Sequence, residues 1–146
     1  ALMELFRERA IAAHAKDIVV PPLDDPAFLT EGAEHYAAMC SGCHLAPGKP
    51  NTELRVGLYP QPPEFSRHSH ASAAETFWVI KHGIKMTAMP AWGLTHSDRA
   101  IWGLVAFIQK LPDLSPAQYR NLTNTSDDRA HHHSVAHDDS DHDDGE

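Results

Sequence analysis

Five consecutive residues, Cys40-Ser41-Gly42-Cys43-His44, constrain this chain more than any other stretch of it. Two thiols separated by two residues and followed at once by an imidazole have the C-x-x-C-H spacing of covalent haem attachment. On one short turn both thiols can reach one edge of a porphyrin as thioethers, and His44 projects from the same turn toward the iron. We therefore expect the chain to fold around a planar group that it holds by its own covalent bonds.

Other interpretations of the two cysteines explain fewer of these residues. A structural zinc site needs four ligands, and because Cys40 and Cys43 are the only cysteines, histidines would have to complete it. A thioredoxin-like pair is expected in a βαβ setting, whereas the flanks here have helix and loop patterns. A disulfide between the two thiols would leave His44 without a role. The haem interpretation remains the prediction.

A haem that only exchanges electrons needs a second axial ligand. Two methionines, Met86 and Met89, lie in one loop downstream of the cysteines. Met89 precedes Pro90, whose fixed φ would stiffen a loop that holds a weak thioether ligand. We predict Met89 as the sixth ligand, with Met86, a histidine such as His82, or an open position as alternatives.

Further side chains are expected around the haem. Its carboxylates need hydrogen-bond donors, for which Arg55, Tyr59 and Trp92 are the candidates nearest in sequence. The second ring nitrogen of His44 should donate to a backbone carbonyl, and that of Pro47 is a candidate. The proline-rich loop after the motif should also pack large side chains on the haem, namely Leu58, Tyr59 and Phe65.

Helix signals predict an all-α domain over residues 25–120. Asp25 as N-cap and Pro26 at the first helical position begin a helix that runs to about Met39 and delivers Cys40. Gly32 on that helix would let another helix approach closely. Three further pairs predict helix starts: Ser72 with Glu75, Thr95 with Asp98, and Ser115 with Pro116, the last opening a short helix through Tyr119.

The segments on either side of this domain differ from it in composition. Residues 1–24 are predicted to be a helical arm and linker. The helix carries a thin apolar stripe of Met3, Phe6, Ala10 and Ala13. This helix is either packed on the core or an arm leading from a membrane anchor upstream of Ala1. Residues 121–146 are predicted to be disordered, because this His- and Asp-rich tail has almost nothing to bury. Its side chains could bind a divalent metal such as Zn, Cu or Ni, or form a solvated tail that gains charge as the pH falls.

Charge and hydropathy exclude two classes of partner. The net charge is −8, and the segment from Asp127 onward carries −7, which leaves −1 for residues 1–126. No basic surface for nucleic acid is indicated. No apolar run approaches the ~20 residues that a bilayer-spanning helix requires.

Because bacteria attach haem covalently outside the cytoplasmic membrane, we expect a periplasmic protein.

In this order the elements resemble a class I c-type cytochrome, of the monohaem type found in bacterial respiratory chains. The resemblance covers roughly residues 25–120. It rests on the helix ending in CSGCH, the proline-rich loop, a helix followed by the segment MPAWG, and a last amphipathic helix. It implies a cytochrome c fold with three to five helices packed around one covalent haem c. In that fold Gly32 and Tyr36 would cross the last helix opposite Leu104 and Phe107.

The resemblance also implies a function. It implies an electron carrier rather than an enzyme, with His44 and Met89 as axial ligands of one haem c and with redox proteins as partners. Two alternatives stay open at this point. One is a metal-binding haem protein that uses the His/Asp tail. The other is a haem sensor or peroxidase whose sixth ligand can be displaced.

Overall fold

The computed structural model describes residues 2–67 and 71–132, and within them helices and turns are the only regular elements. Seven α-helices follow one another: α1 (Leu2–Ala15), α2 (Pro26–His35), α3 (Ser41–His44), α4 (Glu53–Val56), α5 (Ala73–His82), α6 (Asp98–Lys110) and α7 (Pro116–His132). A π-helical turn (Tyr36–Cys40) joins α2 to α3, and 3₁₀ turns lie at Trp92–Leu94 and Leu111–Asp113. The prediction of an all-α fold is confirmed.

Local capping chemistry sets most of the helix starts. The Asp25 carboxylate accepts a hydrogen bond from the amide of Ala27 at 2.9 Å, and Pro26 occupies the first helical position. At α5 the Ser72 hydroxyl accepts from the Glu75 amide at 3.2 Å. The Glu75 carboxylate in turn accepts from the Ser72 amide at 2.8 Å. These starts are confirmed because each depends on residues within one turn.

The start predicted from Thr95 and Asp98 is wrong. The N-cap of α6 is Ser97, whose hydroxyl accepts from the Ala100 amide at 3.2 Å. The Thr95 hydroxyl lies 2.9 Å from Nδ1 of His96 instead. A 3₁₀ turn ending at Leu94 directly precedes Thr95, so the chain direction at Thr95 is already set and the cap moves two residues on.

Two elements were missed or cut short by the sequence patterns. The loop after the motif contains α4, capped by the Thr52 hydroxyl, which accepts from the Arg55 amide at 3.1 Å. The predicted end at Tyr119 is also wrong, because α7 continues to His132. Leu122 packs partly against the core one turn later. The helix thus enters the segment predicted to be disordered, and residues 133–146 lie outside the described residues.

The core is built on a close crossing of α2 and α6. A side chain at Gly32 would overlap the carbonyl oxygen of Gly103, and its Cβ would stand 2.9 Å from that of Phe107. One turn later Tyr36 packs on the Phe107 ring with centroids 5.4 Å apart. The predicted close approach is confirmed, with Gly103 directly opposite Gly32 and Leu104 fully buried beside it.

Helix α1 packs against α5, but not through its predicted apolar stripe. Met3 and Phe6 are 80% and 60% exposed. The packed side instead carries Ile11, which is half-buried, and Ala15, which is buried. The His14 ring stacks on Trp78 of α5 with centroids 5.0 Å apart and an interplanar angle of 9°. This contact, which no pattern on α1 alone indicates, sets the rotation of the helix.

Candidate cofactor site

The motif lies at the end of α2, where the backbone changes its pitch. In the π-helical turn the amide of Ser41 donates to the carbonyl of Tyr36. The Tyr36 hydroxyl donates to the carbonyl of Leu45 at 2.6 Å, which ties the end of α3 to the buried core. Leu45 then leaves the helix with a φ of 61°. Both ends of the motif are therefore fixed by one buried tyrosine.

The two thiols are free and differ in exposure. Cys40 is buried and Cys43 is half-buried. Burial, with a smaller contribution from nearby Cys43, raises the pKa of the Cys40 thiol to about 12.

The imidazole of His44 has a fixed orientation. Its Nδ1 lies 2.8 Å from the carbonyl oxygen of Pro63, and since a carbonyl only accepts, Nδ1 carries the proton. The ring stacks on Phe65 with centroids 4.4 Å apart. Burial lowers the pKa of His44, while the bond to Pro63 opposes that shift. Nε2 is left as the unprotonated nitrogen that a metal requires.

The predicted acceptor for His44, the carbonyl of Pro47, is wrong. Pro63 lies 19 residues beyond His44, and its carbonyl reaches the ring only because the proline-rich loop folds back over the motif. A candidate chosen for nearness in sequence could not identify this partner.

A cavity of about 1010 Å³ opens beside the motif. Both cysteines and His44 line it from one segment, and Met89 lines it from another. Much of the remaining wall is apolar and includes Met39, Leu58, Phe65, Val79, Ile80, Ile84 and Ile108. A large apolar cavity with a few convergent polar and sulfur groups is typical of a cofactor site.

The structure distinguishes the two methionines of the downstream loop. Met89 is half-buried in the cavity wall, whereas the Met86 side chain is 100% exposed. The Met89 amide donates to the Thr87 hydroxyl at 3.1 Å, and its carbonyl accepts from the Ile84 amide at 3.1 Å. Gly83 permits this arrangement, because a Cβ there would stand 2.8 Å from the Met89 carbonyl oxygen.

The alternative ligand His82 is not brought to the cavity. Its ring is exposed and stacks on Trp78 with centroids 4.8 Å apart. Its Nδ1–H donates a hydrogen bond to the carbonyl oxygen of Trp78 at 2.9 Å. Among the described residues of the cavity wall, His44 is the only histidine. His68 and His70 lie outside the described residues.

The three predicted haem-carboxylate donors have different positions. Trp92 lines the cavity. Arg55 does not line the cavity, but its guanidinium donates to the carbonyl of Pro62, which does, and to the side chain of Asn51, both at 3.1 Å. Its Nε is buried and has no hydrogen-bond partner in the described part of the chain. Tyr59 is 96% exposed and does not line the cavity, so the structure does not bring it together with the other predicted residues.

Sequence reasoning missed part of the cavity wall. On α5, Thr76, Val79 and Ile80 recur at helical spacing, and this pattern could have indicated a cofactor-facing side. On α1, Arg7 and Ile11 also line the cavity. No pattern in the sequence indicates that contact, because it depends on how α1 docks against α5.

These residues fit a covalently attached haem. Two thiols and the unprotonated nitrogen of His44 come from adjacent turns, and the thioether of Met89 comes from a separate loop on the same cavity. The buried Nε of Arg55 needs an acceptor, which a haem carboxylate would supply. In the part of the chain that the structure describes, no group of three or more His, Cys, Asp or Glu side chains could hold a metal ion by itself.

The fold and the site together define a c-type cytochrome domain, consistent with the class I monohaem type. Within that class the chain belongs to the family described as cytochrome c oxidase, cbb3-type, subunit III, which matches residues 27–108. This domain implies haem c as cofactor, electron transfer as function and redox proteins as partners. No curated protein and no solved structure matches the chain.

Proposed function

We propose that this chain is a one-electron carrier with a single haem c, bound covalently through Cys40 and Cys43, with His44 and Met89 as axial ligands. The observation that carries the proposal is the shared cavity. Two thiols, an imidazole whose Nδ1–H donates a hydrogen bond to the carbonyl of Pro63, and one half-buried methionine all line it. Bound haem supplies an iron atom that alternates between the ferrous and ferric states.

The protein's own residues hold both axial groups in place. His44 is oriented by the carbonyl of Pro63 and the ring of Phe65. Met89 is held by hydrogen bonds within its loop and by the close contact of that loop with Gly83. A ligand set fixed in this way changes little when one electron is added or removed. That behaviour suits a carrier better than an enzyme that must open a coordination position.

The test compares the two methionines of one loop. Met89→Ala should convert the iron to a different spin state, abolish the methionine-to-iron charge-transfer band of the oxidised protein and lower the reduction potential, because a thioether stabilises ferrous iron. The reduced variant should also bind CO rapidly, since the sixth position becomes accessible. Absorption spectroscopy, a redox titration and CO mixing measure these three effects.

Met86→Ala is the matched control, because this side chain leaves the same loop toward solvent. It should keep the charge-transfer band, the potential and the slow reaction with CO. An unchanged band in Met89→Ala would remove Met89 from the ligand role. Rapid CO binding by the unsubstituted reduced protein would instead favour the sensor or peroxidase interpretation.

We further propose a periplasmic location. Proteins with this cofactor typically work outside the cytoplasm, where covalent haem attachment takes place. No helix in the described residues is long and apolar enough to span a bilayer. The anchor predicted upstream of Ala1 and the divalent metal predicted on the tail stay predictions, and most of the tail lies outside the described residues.

A further inference from the structure

Helix α1 lies outside the segment that matches the family, yet it forms part of the cofactor cavity. Glu4, Arg7, Glu8 and Ile11 all line that cavity. Their spacing of three, one and three residues places them on one side of a helix. One wall of the cavity is therefore supplied by a segment that precedes the matched domain.

The contact of α1 with α5 sets the position of this wall. His14 stacks on Trp78 almost in parallel, and Ala15 is buried in the last turn of α1. On the adjacent positions of α5, Thr76 and Val79 line the same cavity. The docked helix thus continues a surface that α5 begins.

The wall that α1 contributes is charged rather than apolar. Two arginines line the cavity in the described residues, and they differ in their surroundings. The Arg67 side chain is 82% exposed and pairs with Glu64 at 3.3 Å. Arg7 is half-buried, and it lies on the side of α1 that faces the cavity. Glu4 on the same helix interacts electrostatically with Arg7, but that carboxylate is exposed to solvent. A guanidinium at the edge of an apolar cavity is stabilised further by an anion inside the cavity, and a planar carboxylate is its best geometric match.

We propose that α1 closes one opening of the haem cavity and that Arg7 binds a haem carboxylate there. The inference rests on the proposed function, since it requires haem in this cavity. Haem carries two carboxylates, and Arg55, whose buried Nε has no partner in the described residues, is a candidate donor for one of them. Arg7 provides the donor for the other carboxylate, in place of the exposed Tyr59.

A fixed positive charge at this position has a measurable effect on the haem. It lowers the energy of the electron-richer ferrous state relative to the ferric state, and it partly neutralises a carboxylate that would do the opposite. Arg7 should therefore raise the reduction potential of the protein.

The experiment is a redox titration of full-length holoproteins that carry Arg7→Gln or Arg9→Gln. Both substitutions remove one positive charge from α1, but Arg9 is exposed and does not line the cavity. We expect Arg7→Gln to lower the potential clearly and Arg9→Gln to leave it within the error of the unsubstituted protein. Equal potentials for the two variants would overturn the inference.

A second pair covers the case in which Arg7→Gln does not load haem. Arg7→Lys keeps the charge but loses the two-pronged geometry of the guanidinium, and Arg9→Lys is its control. Arg7→Lys should lower the reduction potential, but by less than Arg7→Gln does, and Arg9→Lys should leave the potential unchanged. No difference between the two lysine variants contradicts the role of Arg7.

The charge-transfer band separates this inference from the proposed function. If the unsubstituted protein and Arg9→Gln show the methionine-to-iron band while Arg7→Gln leaves the potential unchanged, the inference fails and the function stands. If the unsubstituted protein lacks the band and holds no covalent haem, the proposed function fails first, and Arg7 loses its carboxylate partner with it.

Discussion

Met86 contributes to the structure through its backbone conformation and not through its side chain. Its φ of 61° lies in the left-handed region, which costs a residue with a Cβ roughly 1–2 kcal/mol. The side chain is wholly exposed, so no packing offsets that cost. The residue therefore serves the turn that brings Met89 back to the cavity.

Replacing Met86 with glycine should stabilise the protein. Glycine adopts a positive φ without strain, and the gain should exceed its larger loss of backbone freedom on folding, for a net increase of up to about 1 kcal/mol in the free energy of unfolding. Denaturant unfolding of the holoprotein measures this. Lys85→Gly in the same loop is the control and should destabilise by about 0.5–1 kcal/mol, because its φ is not positive. A loss of stability in Met86→Gly as large as in Lys85→Gly would contradict the strain argument.

At this scale the sequence predicted residues whose chemistry is local and missed those defined by tertiary contact. The spacing of Cys40, Cys43 and His44 carries its own geometry, so their convergence on one cavity needed no other segment. Pro63 and Tyr59 are the opposite case. The path of the folded proline-rich loop brings the carbonyl of Pro63 to His44 and leaves Tyr59 exposed to solvent. No sequence pattern near either residue predicts that path.

The crossing of α2 and α6 is the element-level contact on which the core depends. Gly32→Ala should destabilise the protein by about 3 kcal/mol, because the new methyl group would overlap backbone of α6 that cannot move without separating the helices. Gly57→Ala is a suitable control. Its nearest neighbours would be 3.7 Å from the new Cβ, an ordinary contact, so a change within about 0.5 kcal/mol is expected.

Thermal unfolding of the two glycine variants side by side tests this. A Gly32→Ala protein as stable as Gly57→Ala would mean that the helices can separate at no cost.

The sequence predicted this crossing because a glycine on a helix lets a second helix approach closely. It could not predict the side on which α1 packs, since that side is set by His14 and Trp78, which lie 64 positions apart in the chain.

At the scale of the whole molecule, the cavity links the stability of the fold to binding of the cofactor. A space of about 1010 Å³ lies between the motif, the proline-rich loop, α5 and the methionine loop, so a group that filled it would contact all of them. The covalent attachment that we propose would keep that group at a high local concentration, whatever its concentration in solution.

The combined variant Cys40→Ser/Cys43→Ser tests this coupling. Acid acetone should extract its haem, whereas the haem of the unsubstituted protein should stay with the polypeptide. The free energy of unfolding of the variant should increase by about 1.4 kcal/mol for each tenfold increase in free haem above its Kd, and the Tm should rise with it. The unsubstituted holoprotein should show no such dependence. A Tm of the variant that does not respond to added haem would separate folding from the cofactor.

The π-helical turn between Tyr36 and Cys40 has a consequence for insertions and deletions. Such a turn contains one more residue than the α-helical turn that could replace it. Removing one residue from positions 37–39 would let an ordinary α-helical turn take its place, and the motif beyond it would keep nearly the same orientation. Removing a residue from the regular part of α2 would instead rotate everything beyond it by roughly 100°. A one-residue difference in length between related chains is therefore easier to accommodate in this turn than elsewhere in the helix that carries the motif.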